Sequence, residues 1–194
     1  MKQSICILAI WLFALSLSAV QFQINADYDF AGKYKAESDE IGDFDNDSRF
    51  GFSGSFEVLI PMLEDIAFIG PGIEYQLLRK LDGNLDSKYG FIPVYGSLRW
   101  GLFEGDVLRP EIIVQTGYNF HTGNDAYRFG DTMDLAGCMY YAFGFGVVHG
   151  GNTSLELLYR VHKGRMSGTG IWECGDVDVD ITQRNLTFRL GWRF

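Results

Sequence analysis

From residue 22 onward the chain alternates apolar and polar positions with a period of two. Phe22, Ile24, Ala26, Tyr28 and Phe30 share one face, and Gln23, Asn25, Asp27 and Asp29 share the other, the pattern of a strand whose faces meet different surroundings. The pattern recurs with Phe50, Phe52, Phe56, Val58 and Ile60 set against Gly51, Ser53, Ser55 and Glu57. It continues with Ile69, Ile73, Tyr75 and Leu77 against Glu74 and Gln76, and with Ile92, Val94, Leu98 and Trp100 against Tyr95, Ser97 and Arg99. In the second half, Ile112, Val114, Tyr118 and Phe120 oppose Gln115 and Asn119. Tyr141, Phe143, Phe145 and Val147 oppose Ala142, Gly144 and Gly146, and Leu155, Leu157, Tyr159 and Val161 oppose Glu156 and Arg160. Last, Leu186, Phe188, Leu190, Trp192 and Phe194 oppose Asn185, Thr187, Arg189 and Arg193. The pattern predicts eight strands.

Connection lengths alternate as well. Residues 61–65, 103–109 and 149–153 are short links, and residues 35–48, 79–90, 121–136 and 163–181 are long loops. Short turns on one rim and long loops on the other, with an even strand number, predict an all-β fold: an eight-stranded antiparallel up-and-down transmembrane barrel. Pro71 and Pro93 fall inside proposed strands, where a missing N–H interrupts the ladder, so bulges or strand starts are expected there.

Alternation leaves the direction of the apolar face open, so a soluble lipocalin-like barrel is the competing architecture. The apolar faces of strands one, two, seven and eight carry no charge, as lipid contact demands, because a mid-bilayer Arg or Lys costs about 2–4 kcal/mol. The opposite faces mix Glu57, Glu74, Glu156, Arg99, Arg160, Arg189 and Arg193 with Gly117, Gly144 and Gly146. A narrow barrel interior holds such a set of small residues and paired charges.

Composition narrows the setting. At 194 residues the chain is one domain. Lys2, the apolar run from Ile5 to Leu17 and the small residues Ser16, Ser18 and Ala19 predict a cleaved secretory signal over residues 1–19, with the barrel domain over 20–194. The formal charge of -9 removes the basic footprint that nucleic-acid binding needs. Cys138 and Cys174 remain beyond the signal; in an oxidising compartment a single disulfide and two buried thiols both stay open.

The segment from Asn185 to Phe194, with Phe188, Leu190, Trp192 and Phe194 on one face, resembles the C-terminal assembly signal of outer-membrane β-barrels. The chain from 20 to 194 resembles the small eight-stranded barrels of the OmpA and OmpX type, as do the stretches Gly70 to Tyr75, Phe91 to Tyr95 and Tyr140 to Val147. The resemblance implies the outer membrane of a diderm bacterium, with membrane lipid, lipopolysaccharide and the assembly machinery as partners. Its function is open, since this class includes adhesins, stability factors, small pores and a few lipid-modifying enzymes.

A search for catalytic groups finds His162, Ser167 and Glu173 near the fourth long loop, but the position two after His162 is Gly164, where lipid A deacylases of this barrel type carry Ser. His162 is read as a rim residue, and no catalytic residue is assigned. His121 and His149, in a loop and a turn, lack neighbours at metal-ligand spacing, so neither metal nor cofactor is assigned. Glu37, Asp39, Glu40, Asp43, Asp45 and Asp47 form an acidic first loop that departs from a calcium loop at Ser48 and Gly54. Asp176, Asp178 and Asp180 join the same rim. The reading is a monomeric, non-enzymatic outer-membrane protein with a structural or surface-interaction role through its loops. A lipid-modifying enzyme and a soluble carrier are the alternatives.

Overall fold

The computed structural model describes residues 20–39, 42–63, 66–81, 84–103, 107–124, 127, 133–169 and 176–194. The predicted signal segment, Glu40, Glu173 and Cys174 lie outside the described residues. Eleven strands are formed: β1 (Gln21–Asp29), β2 (Gly32–Glu37), β3 (Phe44–Ser48), β4 (Gly51–Met62), β5 (Ala67–Gln76), β6 (Arg79–Leu81), β7 (Asn84–Gly101), β8 (Leu108–Gly123), β9 (Met133–His149), β10 (Thr153–Thr169) and β11 (Asp176–Arg193). Three of the eight staves are each broken in two, at residues 30–31, 49–50 and 77–78. The lower ring runs β1-β4-β5-β7-β8-β9-β10-β11 and closes through β1–β11; above it β2, β3 and β6 carry the wall from β11 round to β7. All pairings are antiparallel, so the fold is the eight-stranded barrel.

The long connections expected at 35–48, 79–90, 121–136 and 163–181 are largely strand. β2 and β3 pair from Gly32↔Ser48 to Ala36↔Phe44, and β10 and β11 stay paired up to Thr169↔Asp176. The alternation persists there with its polarity inverted. On β11, inward positions run Arg193, Arg189, Thr187, Asn185 and Gln183 and then turn apolar at Ile181, Val179 and Val177. Outward positions run Phe194, Trp192, Leu190, Phe188 and Leu186 and then turn polar at Arg184, Thr182, Asp180 and Asp178. Parity never changes along this strand; the solvent does.

Below that inversion the outer wall is apolar. Leu186, Phe188, Leu190, Trp192 and Phe194 are 42–62% exposed, and Phe22, Ile24, Phe56, Ile73, Val94, Val114, Phe143 and Leu157 continue the band round the cylinder. The stretch from Leu186 to Phe194 covers about 27 Å along the strand, or about 20 Å of height at a tilt of ~40°, close to a bilayer-facing belt. Tyr28, Phe50, Phe52, Tyr118 and Phe120 edge it above, and Trp192, Trp100 and Phe103 below. A soluble carrier with this wall would present the whole band to water, which rules out the lipocalin-like orientation.

Local irregularities follow from particular residues. The β9–β10 register shifts between His162 and Gly164, so that two residues of β9, Cys138 and Met139, oppose the single Lys163 of β10. Buried Asn119 donates to the carbonyls of Met139 and Lys163 at this bulge, both at 3.2 Å. Pro71 and Pro93, expected to mark bulges or strand starts, do neither, because β5 and β7 run straight through them. Their missing N–H groups coincide with gaps instead: the β4–β5 ladder omits the pairs at Pro71 and Gly70, and the β5–β7 ladder stops at Ile73↔Val94. The β9–β10 turn uses Gly150 and Gly151 at φ +59° and +80°, left-handed values that suit glycine.

Candidate functional site in the barrel interior

The inward positions of the membrane-height staves converge on one ion network. Its carboxylates are Asp27, Asp29, Glu57, Glu74, Glu111 and Glu156, and its guanidiniums are Arg79, Arg99, Arg160, Arg189 and Arg193, all at most 3% exposed. Arg99 donates to Glu156 at 2.7 Å and to Glu57 at 2.9 Å. Arg189 donates to Asp27 and Glu57, each at 2.8 Å, and approaches Glu74 at 3.4 Å. Arg160 bonds Asp27 and donates to Glu74 at 2.9 Å and to Asp29 at 3.2 Å. Arg79 bonds Asp29 from above, while Arg193 grips Glu111 through both terminal nitrogens at 3.0 and 2.6 Å near the lower end. Arg109, at the lower rim, adds a contact to Glu111 at 3.0 Å.

Its members come from seven of the eight staves, and each carboxylate–arginine pair among them joins two different ones, so closure of the barrel is what assembles it. Every cation in it is arginine, whose fork serves two carboxylates at once, as ammonium does less well. Tyr95 donates to Glu57 at 2.9 Å and Tyr140 to Gln115 at 2.8 Å, filling the remaining width. Tyr95 lies over Gly72, where a Cβ would stand 2.5 Å from its ring. That explains one of the small inward residues.

Above the network the interior is apolar. Tyr34, Tyr89, Phe91, Tyr127, Met133, Met166, Val177, Val179 and Ile181 form one buried cluster. The Tyr34 and Tyr127 hydroxyls are 2.5 Å apart, and His121 Nε2 lies 2.9 Å from Tyr127 Oη. Burial lifts the Tyr34 and Tyr127 phenols above their ordinary pKa, so both stay neutral. Ions below and aromatics above fill the bore.

Of the catalytic candidates, the two among the described residues, His162 and Ser167, lie apart. His162, read from sequence as a rim residue, is fully buried inside the barrel. Its Nε2 is 2.9 Å from Gln76, its Nδ1 is 3.2 Å from Asn119, and its ring stacks on Phe91. The inward phase of β10, shared by Glu156, Leu158 and Arg160, puts it there. Ser167 lies five residues further along the same strand, beside Asp134 and Asp178. His121, expected in a loop, is a buried β8 residue stacked on the other face of Phe91, and His149 ends β9 in solvent. Among the described residues no three His, Cys, Asp or Glu side chains converge as metal ligands. The acidic first loop is a hairpin whose carboxylates alternate with lysines: Lys33–Asp47 at 2.6 Å, Lys35–Asp43 at 3.5 Å and Lys35–Glu37. Cys138 is half-buried beside the β9 bulge.

Two members of the interior set escape the sequence pattern, Arg79, which follows the stave break at 77–78 and reads as loop, and Glu111, which adjoins a short link. Asp27 and Asp29 lie on the polar face read for the first strand, but that reading did not count them among the interior charges. The period-two phase was the available signal, since Glu111 shares parity with Gln115 and Asn119.

Comparison with solved structures gives the architecture a family of shapes. The outer membrane protein AlkL, solved in lipid bilayers, aligns with 15% identity over 89% of this chain and 90% of its own, with a TM-score of 0.51. The outer membrane protein OprG from Pseudomonas aeruginosa gives 13% identity, 91% and 96% coverage and a TM-score of 0.49. Ail, the attachment invasion locus protein of Yersinia pestis, gives 13%, 90% and 99%, and 0.47. The chain has the small outer-membrane β-barrel fold. No protein-family model matches the sequence, and no curated protein matches it either. Within this fold, function rests on the chain's own interior and rim.

Proposed function

We propose that this protein is a non-enzymatic integral outer-membrane barrel that serves envelope structure or surface interaction through its extended external hairpins. The observation that carries the reading is the filled interior. Opposed charges and then packed aromatics occupy the bore, and the buried His162 has amide and aromatic partners but, among the described residues, no Ser or Cys nucleophile bonded to it. In this reading residues 1–19 are removed on export, and the chain acts as a monomer because closure between β1 and β11 leaves no free edge. The outward row Phe188, Leu190, Trp192 and Phe194 serves as the face presented to the assembly machinery. Outer-membrane lipid and lipopolysaccharide surround the belt.

The test is His162→Ala expressed in a host whose lipid A is profiled by mass spectrometry, alongside wild type and empty vector. Identical profiles in all three are expected. A lipid A species made by wild type and lost in the variant would replace this reading with that of a lipid-modifying enzyme.

A further inference from the structure

A groove of about 540 Å³ runs along the outer wall of β11, β2 and β3, on the face opposite the ion network. Lys33, Lys35, Thr182 and Arg184 line one side, and Asp45 and Asp47 the other. The register brings Arg184 directly opposite Lys33 and Thr182 opposite Lys35, while on the neighbouring strand Lys163 pairs with Thr182. Two like charges placed directly opposite each other on antiparallel strands repel. Lys33 holds Asp47 at 2.6 Å, but both side chains are mostly exposed, at 77% and 59%, and such a surface pair is worth about 0–1 kcal/mol and exchanges readily.

The height of the groove decides what meets it. One outward position below Arg184 on β11 lies Leu186, then Phe188, and Phe30 lies just below Lys33 on the neighbouring stave. The basic row therefore sits on the first step above the apolar belt, at the level of the lipid head groups. Cations at that level attract anionic heads, each by about 1 kcal/mol, and the Arg184 fork matches a phosphate in particular. Acyl chains of a lipid held there would lie on Leu186, Phe188 and Tyr159 below.

We propose that Lys33, Lys35, Thr182 and Arg184 form a binding site for the phosphate of a phosphorylated glycolipid of the outer leaflet, the lipid chains resting on the upper belt. The cations hold the phosphate, Thr182 offers a hydroxyl donor, and as the phosphate arrives Asp47 releases Lys33 while Glu37 and Asp43 release Lys35, all of them exposed surface pairs. The inference rests on the proposed outer-membrane placement.

The experiment uses the full barrel in phosphatidylcholine nanodiscs containing a few per cent of bis-phosphorylated lipid A, with lipid retention read by native mass spectrometry. Wild type is expected to retain one lipid A, and Lys33→Gln/Arg184→Gln to retain at least about tenfold less. Arg184→Lys, which keeps charge but not the fork, should fall between them and serves as the readout if the double variant does not fold. Equal retention by wild type and the folded variant, or equal retention of dephosphorylated lipid A, overturns the site. Displacement of the lipid by millimolar inorganic phosphate would assign the groove to free anions and overturn the lipid part. A wild-type protein that inserts but retains no lipid overturns only this site; one that fails to insert overturns the placement as well.

Discussion

Arg189 sits at the centre of the residue-scale account. It is fully buried and reaches Asp27, Glu57, Glu74 and Glu156 on four other strands. Removing its charge leaves these four buried carboxylates sharing Arg99 and Arg160, an excess of desolvated negative charge that costs about 3–5 kcal/mol. Arg189→Met is therefore expected to destabilise by that order, measured by urea unfolding of the barrel in lipid vesicles. Asp27→Asn in the same background should recover part of the loss, since it removes one stranded anion; no recovery would mean the side chains act independently. His162 offers the contrast, its two nitrogens facing neutral amides.

The strand is the scale on which the belt is written. Leu157 lies at mid-belt, paired with Phe188 on one side and Phe145 on the other. Leu157→Arg is expected to cost about 2–4 kcal/mol in a bilayer, whereas Trp192→Arg near the lower edge should cost about 0–1 kcal/mol more than its lost packing. The same urea titration in vesicles reads both; equal penalties would deny a depth-graded lipid contact. The last strand carries a separate expectation. Deleting Phe194 should lower the folded yield in the outer membrane without altering the ladder above it, measured by heat-modifiable gel migration of membrane fractions. Unchanged yield would remove Phe194 from the assembly face.

On the scale of the whole molecule, the closed ring leaves no edge strand, and the bore holds six carboxylates, Asp27, Asp29, Glu57, Glu74, Glu111 and Glu156, against Arg79, Arg99, Arg160, Arg189 and Arg193, with Arg109 at the rim. An interior so occupied is expected to pass no stream of ions, given the small bore of eight strands. Planar bilayers containing the purified barrel are expected to show no stable conductance steps. Arg99→Ala/Arg189→Ala, which empties part of the bore, is the positive control for detection. Steady conductance by wild type would contradict a closed interior.

The sequence by itself determined the number of staves and the inward and outward phase within the eight predicted strands, because a period of two is a local property of extended backbone. It placed Glu57, Glu74, Arg99, Glu156, Arg160, Arg189 and Arg193 on the inward phase. It did not reveal that the long connections continue as strands, since the rule that marks a lipid-facing strand, apolar out and polar in, reverses once the wall leaves the bilayer. Lys33 and Tyr34 fall between the first predicted strand and its loop, and Lys35 reads as loop, until Tyr89 and Tyr127 are seen packed against Tyr34. Only the tertiary structure decided which Arg meets which carboxylate, that His162 and His121 sandwich Phe91, and that Arg184 stands opposite Lys33. Each of these pairs residues on different staves, and closure of the cylinder alone sets them side by side.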